Sequence, residues 1–145
     1  MLADFEMAMM MIFLVIMVVF GGTEMVVMVS TDFSVQSEAQ AIAMSEGKYG
    51  GYTVPEQASV EAYIDTYCAS DESNPLNPNH AAVGVSAAGS PVAYGTEVTS
   101  ALAVPFQFWQ IGKYLPGTEI LLTGRGKSIS SYIPGVTPDV AYASP

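Results

Sequence analysis

Apolar and polar positions along this chain fall into three textures. From Met7 to Phe20 fourteen consecutive residues are apolar, with the acids Asp4 and Glu6 before them and Gly21-Gly22-Thr23-Glu24 after them. The apolar run resumes at Met25. It then thins to a stripe, Met28, Val35, Ala39 and Ile42, among the polar residues Asp32, Gln36, Ser37, Glu38 and Gln40. No proline occurs before Pro55, so the pattern predicts one helix over residues 3 to about 46, apolar all round at its start and amphipathic at its end. Gly47 is the expected residue just past its C-terminus. At 1.5 Å per residue, such a rod is roughly 65 Å long.

The second texture begins after a turn at Gly47-Lys48-Tyr49-Gly50-Gly51. Thr53-Val54-Pro55-Glu56 fits a capping box, in which Thr53 caps the helix and Glu56 reaches back to it. Val60, Tyr63, Ile64, Tyr67 and Cys68 then recur at helical spacing and define one apolar face. The stripe on the far half of the first helix is the expected partner of that face. Ser70 to His80 ("SDESNPLNPNH") is rich in chain breakers and predicts a loop.

From Ala82 onward the period shortens to two. Val98, Ser100, Leu102 and Val104 alternate with Glu97, Thr99, Ala101 and Ala103, and "PFQFWQIG" and "GTEILLTGRGKSIS" follow across Leu115-Pro116-Gly117. Three or four antiparallel strands are expected, with an irregular tail around Pro134, Pro138 and Pro145. The fold class is therefore α+β: a long N-terminal helix, a short second helix and a small antiparallel β domain. The expected division is residues 1–29, a hydrophobic helix, and residues 30–145, its amphipathic continuation with the second helix and a β-rich surface domain.

Composition narrows the function classes. Four Lys plus Arg stand against fourteen Asp plus Glu, which excludes the basic stripe a nucleic-acid surface needs. All nine methionines lie within the first 44 residues, and the remaining hundred or so residues suffice for a small core. A single cysteine, Cys68, excludes an internal disulfide framework and reads as a small buried hydrophobe. Asp71-Glu72-Ser73-Asn74 lacks the full spacing of a calcium loop, and His80 has no second histidine or cysteine beside it for zinc. The aromatic cluster Phe106, Phe108, Trp109 and Tyr114 fits core or interface packing as well as a ligand platform. No G-x-S-x-G motif and no phosphate loop occur. Catalysis, metals and cofactors are not expected.

The opening segment carries the specific signal. Seventeen residues separate Glu6 from Glu24, about 25 Å of helix and the lower edge of what spans a bilayer. A secretory signal would place Lys or Arg before its apolar run, whereas the first basic residue here is Lys48. An ordinary membrane anchor explains the length but not the acids, which are costly beside an apolar helix unless they meet a partner. The cation at hand is the α-amino group of Met1, in the same chain or in a neighbouring copy.

Asp4-Phe5-Glu6-Met7-Ala8, the apolar stretch, Glu24-Met25-Val26 and the amphipathic continuation to Ser45-Glu46-Gly47-Lys48-Tyr49 resemble the N-terminal signature of type IV pilin-like proteins. The layout is most similar to the TadE-like branch. The resemblance covers roughly residues 3 to 50, with the aromatic before the acid and no mid-helix proline. It implies a structural pilin subunit, without enzyme activity, that forms an extracellular type IV pilus-like helical filament on the cell surface. Before assembly the helix would sit in the cytoplasmic (inner) membrane; a prepilin peptidase would expose Met1, and pilus assembly machinery would extract the subunit.

In the filament of identical subunits, Met7, Met10, Phe13, Leu14, Met17 and Phe20 would form the core. Met1, Asp4, Glu6 and Glu24 would serve assembly, with Glu6 favoured as the partner of a neighbouring Met1 amine. Gly21 and Gly22 would act as a hinge, or else permit close helix approach. A minor pilin-like protein and a membrane-anchored accessory or binding protein are the alternatives.

Overall fold

The computed structural model describes residues 2–67, 81–108 and 119–144. Two helices, α1 (Leu2–Tyr49) and α2 (Val54–Tyr67), precede three strands, β1 (Ala82–Val85), β2 (Glu97–Gln107) and β3 (Glu119–Ile129). The strands form one antiparallel sheet in the order β1-β2-β3. The architecture is the α+β arrangement that the sequence pattern predicts. The chain divides into two compact units, Met1–Thr31 and Asp32–Pro145.

In the first unit α1 continues through Gly21 and Gly22, and a Cβ at either glycine would meet nothing within 4 Å. Thr23 and Thr31 each fold the hydroxyl back onto a carbonyl of the preceding turn, Phe20 and Val27, at 2.8 and 2.9 Å. A helical threonine can therefore sit among apolar neighbours with its hydroxyl satisfied by its own backbone.

The second unit has a core of its own. Val98, Ser100, Leu102, Val104 and Phe106 alternate inward along β2 and are all buried, as the two-residue period requires. Their cross-strand partners on β3 are Ser128, Gly126, Gly124, Leu122 and Ile120. Val83 and Val85 of β1 pair with Leu102 and Ser100 and complete that face.

The helix stripe docks differently from expectation. Val35, Ala39 and Ala43 are buried, but they lie against β3 rather than α2. A Cβ on Gly124 would run into the Val35 carbonyl, and one on Gly126 into the Ala39 carbonyl. The helix backbone thus rests on a groove cut by two glycines. Gly47 stays inside the helix and meets Ser128, continuing the series. Four helical residues rise about 6 Å and two strand residues about 6.6 Å, so successive small residues on the two elements keep meeting. Of the predicted stripe, Ile42 does meet α2: it clusters with Val60, Tyr52 and Ala143, against which Ile64, Val83 and Val85 pack.

Hydrogen bonds hold that docking in register. Gln36 donates to the Arg125 carbonyl at 2.7 Å and accepts from the Arg125 N–H at 3.2 Å. One turn later Gln40 makes the same pair with Lys127, at 3.1 and 3.4 Å. The two amides stand where the peptides of a further strand would stand, and so cover part of an edge otherwise open to pairing. The Ser100 hydroxyl donates to the Ala39 carbonyl at 2.5 Å.

The helix ends three residues later than predicted, at Tyr49. Gly50, with φ 79°, supplies the left-handed residue assigned by sequence to Gly47. The carbonyls released at this end are satisfied from the second unit. Gly47 accepts from the Ser131 N–H at 2.7 Å, Tyr49 from the Tyr142 hydroxyl at 2.9 Å, and Gly50 from the Val92 N–H at 2.8 Å. The capping box on α2 is present, with Thr53 and Glu56 bonded reciprocally at 3.4 Å each way. The proline-bearing tail is irregular, yet it is tied to the inter-helix segment through Ala143 and Tyr52 and through Val54 and Ala141.

Candidate functional site: an apolar helix and a buried acidic pair

The apolar residues of the first unit form no core. The thirteen large side chains from Met7 to Phe20 are 45 to 75 % exposed in the single chain, and exposure goes all round the helix. Met7, Met10, Phe13, Leu14, Met17 and Phe20 are among them. The helix is long and apolar enough to cross a membrane. A surface of this kind calls for a lipid environment or for partner helices, since soluble monomers rarely expose contiguous apolar patches of more than a few hundred Å².

Glu6 is exposed on this helix and Glu24 is half-buried. Met1 lies outside the described residues, as does the side chain of Asp4, so the expected amine–carboxylate pairing falls outside what the structure describes. The same holds for Cys68, the Asp71–Asn74 cluster, His80, Trp109 and Tyr114. Phe106 and Phe108 are described, and their rings meet edge to face at 5.4 Å. Phe106 is buried there, so it serves packing.

The second unit holds a feature that the sequence pattern did not reveal. Glu46, on the helix end Ser45-Glu46-Gly47-Lys48-Tyr49, is fully buried, and neither carboxylate oxygen has a hydrogen-bond partner. Spacing explains its position. Val35, Ala39, Ile42 and Glu46 follow one another at intervals of four, three and four, so the glutamate continues the apolar stripe. That periodicity was the available signal, and the polarity of Ser45-Glu46-Gly47-Lys48 concealed it.

Burial raises the Glu46 carboxyl from 4.5 to about 8, and the neighbouring Glu56 adds to the rise. Glu56, also buried, is raised to about 7, first by desolvation. The Thr53 backbone and the Ser45 hydroxyl pull Glu56 down, and Glu38 pushes it up. One Glu56 oxygen, Oε1, lacks a hydrogen-bond partner. Tyr52 is pushed up to about 12 by its burial and then by Glu56, Glu61 and Glu46. A lone ionised carboxylate in such a place is costly, so near neutral pH Glu46 is held largely protonated while Glu56 is close to its midpoint.

Beside the pair a cleft of about 330 Å³ opens between α1 and α2. Among the described residues, no three His, Cys, Asp or Glu side chains come together as metal ligands. Comparison with protein-family models, with curated proteins and with solved structures yields no match to this chain.

Proposed function

We propose that this chain is a structural subunit that polymerises through its N-terminal helix into an extracellular, type IV pilus-like helical filament, and that it has no enzymatic role. The observation that supports this reading is the helix of the first unit, apolar on every side and exposed, joined to a unit that already owns its core. A helix without a polar face belongs either in a bilayer or among other helices, and the filament reading uses both settings in turn. The membrane holds the helix before assembly, and neighbouring helices bury it afterwards. Such a contact between different faces of identical subunits does not close on itself and so propagates. Unbranched methionine side chains suit a surface that must repack between lipid and several helices.

The acids complete the scheme. Inside an apolar core Glu6 would pair with the α-amino group of Met1 from an adjacent subunit, with Asp4 able to share the role. Gly21 and Gly22 would let the helix melt locally on leaving the bilayer. The membrane-spanning length of the helix supports a membrane-anchored accessory protein equally well, and fractionation separates the two readings. Sheared cell-surface material should contain this chain as its main band and show filaments by electron microscopy. Recovery in membrane fractions alone would reject the filament subunit.

A further inference from the structure

The cleft between α1 and α2 joins two kinds of lining that seldom meet by accident. Its lining includes Glu38, Ser45 and Glu56 and, interleaved with them along the two helices, Ile42 and Val60, with Val140 from the tail. Glu56 is more than nine-tenths buried, lines the cleft and keeps Oε1 without a hydrogen-bond partner. Behind it Glu46 is buried with both oxygens unsatisfied. Carboxylates and aliphatic side chains together in one cleft fit a long cationic side chain, whose stem is apolar and whose head donates hydrogen bonds. Calcium or magnesium would ask for more oxygen ligands, and more carboxylates, than converge here.

Basic residues are scarce, four in the chain. Lys127 is bonded to Glu97 at 3.1 Å, and Lys48 lies over the Tyr49 ring at 5.0 Å. Lys113 lies outside the described residues. Arg125 is exposed and makes no ion pair among the described residues. It cannot serve the cleft of its own chain. Gly124 and Gly126 face α1, so Arg125, between them on the strand, points to the opposite side of the sheet. A chain of net charge −10 repels its copies except where a basic group meets an acidic one.

We propose that the α1–α2 cleft receives the Arg125 side chain of a second copy of this chain, with Glu38 and Glu56 against the guanidinium and Ile42, Val60 and Val140 against its stem. The contact joins two different surfaces and leaves the cleft of one copy and the Arg125 of the other unused, so it extends from copy to copy. The filament reading supplies the second copy; the cleft itself stands on its own geometry.

The test uses the full chain carrying Arg125→Lys, which keeps the cation and provides an amine for coupling. Unlabelled and nitrogen-15-labelled copies are mixed in phosphatidylcholine vesicles and treated with a carbodiimide, which joins an amine to a carboxylate lying against it. Mass spectrometry should find the residue-125 amine joined to Glu38 or Glu56 of the other isotope. Links confined to one isotope, or formed only to other carboxylates, would overturn the proposal. A second measurement follows association of fluorescently labelled copies in the same vesicles, with circular dichroism checking the fold. Arg125→Glu should weaken association by at least about thirtyfold, as the loss of a desolvated charge pair implies, and mixing it with Glu38→Arg copies should restore it. Association of Arg125→Glu copies at the unsubstituted level would also overturn the proposal. Mixed-isotope links in a protein that never appears in sheared surface material would sink the filament and leave the cleft standing. Filaments without such links would do the reverse.

Discussion

Replacing Glu46 by glutamine removes a titrating group from the buried stripe of α1 while keeping its volume. In the folded chain the Glu46 carboxyl is raised from 4.5 to about 8 by burial and by Glu56, and Glu56 is itself raised from 4.5 to about 7. The unfolded chain releases both protons near the ordinary carboxylate range. Between pH 4.5 and about 8 the folded state therefore binds more protons than the unfolded state, and stability falls as pH rises through that window. At about 1.36 kcal/mol per unit, Glu46 alone corresponds to about 5 kcal/mol once the pH is above both values.

Water entering a locally opened contact limits the cost, so a fall of roughly 3 kcal/mol between pH 5 and pH 9 is expected. The assay is chemical unfolding of the full chain in neutral detergent, followed by near-ultraviolet circular dichroism at each pH. Glu46→Gln should flatten the profile above pH 7 and leave a shallower slope from Glu56. Glu46→Leu should do the same and be the more stable variant at pH 9, because it removes the unsatisfied oxygens as well as the charge. A profile already flat in the unsubstituted protein, or an unchanged slope in Glu46→Gln, would refute the assignment of a protonated, buried Glu46.

Gly126→Val should cost about 1–3 kcal/mol of unfolding stability, since its side chain meets the Ala39 backbone. Gly84→Ala, whose nearest neighbours would stand at 3.8 Å or more, should be close to neutral in the same chemical unfolding assay. Gln36→Leu with Gln40→Leu removes four bonds to the β3 edge, and the Arg125 and Lys127 amides should then exchange with solvent measurably faster. Glu6→Leu should leave membrane levels unchanged but abolish surface filaments, breaking a buried pair typically costing about 3–5 kcal/mol, with Glu24→Gln milder. Gly21→Ala with Gly22→Ala should raise helix stability by about 1 kcal/mol per site and lower filament yield, and unaltered filaments would reject the hinge.

Much of the second unit was legible from local rules. The capping box at Thr53 and Glu56, the alternation from Val98 to Val104 and the break at Pro134 each depend on a few neighbouring residues, and each appears in the structure. What escaped was set by distant contacts. Gly124 and Gly126 fall inside the predicted strand segment "GTEILLTGRGKSIS", yet they admit the backbone of a helix about ninety residues earlier in the chain. No periodicity within β3 reveals that partner. Gln36 and Gln40 read as solvent-facing polar positions for the same reason. The burial of Glu46 is legible only from its position: a carboxylate at a stripe position signals burial when its spacing continues the stripe. The assembly residues rest on resemblance, and a single chain contains no neighbour against which Glu6 could be seen to pair.

The two halves of α1 use opposite kinds of apolar residue, and the contrast bears on function. From Val35 to Gly47 the docked face is built largely from alanine and glycine, with the β3 glycines opposite and glutamines fixing the register. Small residues leave little side-chain freedom to lose, but they fit one partner surface and tolerate no enlargement of it. From Met7 to Phe20 the face is methionine, phenylalanine and branched aliphatics, exposed on every side among the described residues. The five methionines among them are unbranched and adaptable, which suits surroundings that change. A permanent membrane anchor needs apolarity but no such adaptability, and leucine would serve it as well. A helix that exchanges lipid for other helices gains from it directly, and this favours the filament over the fixed anchor as the purpose of the opening segment.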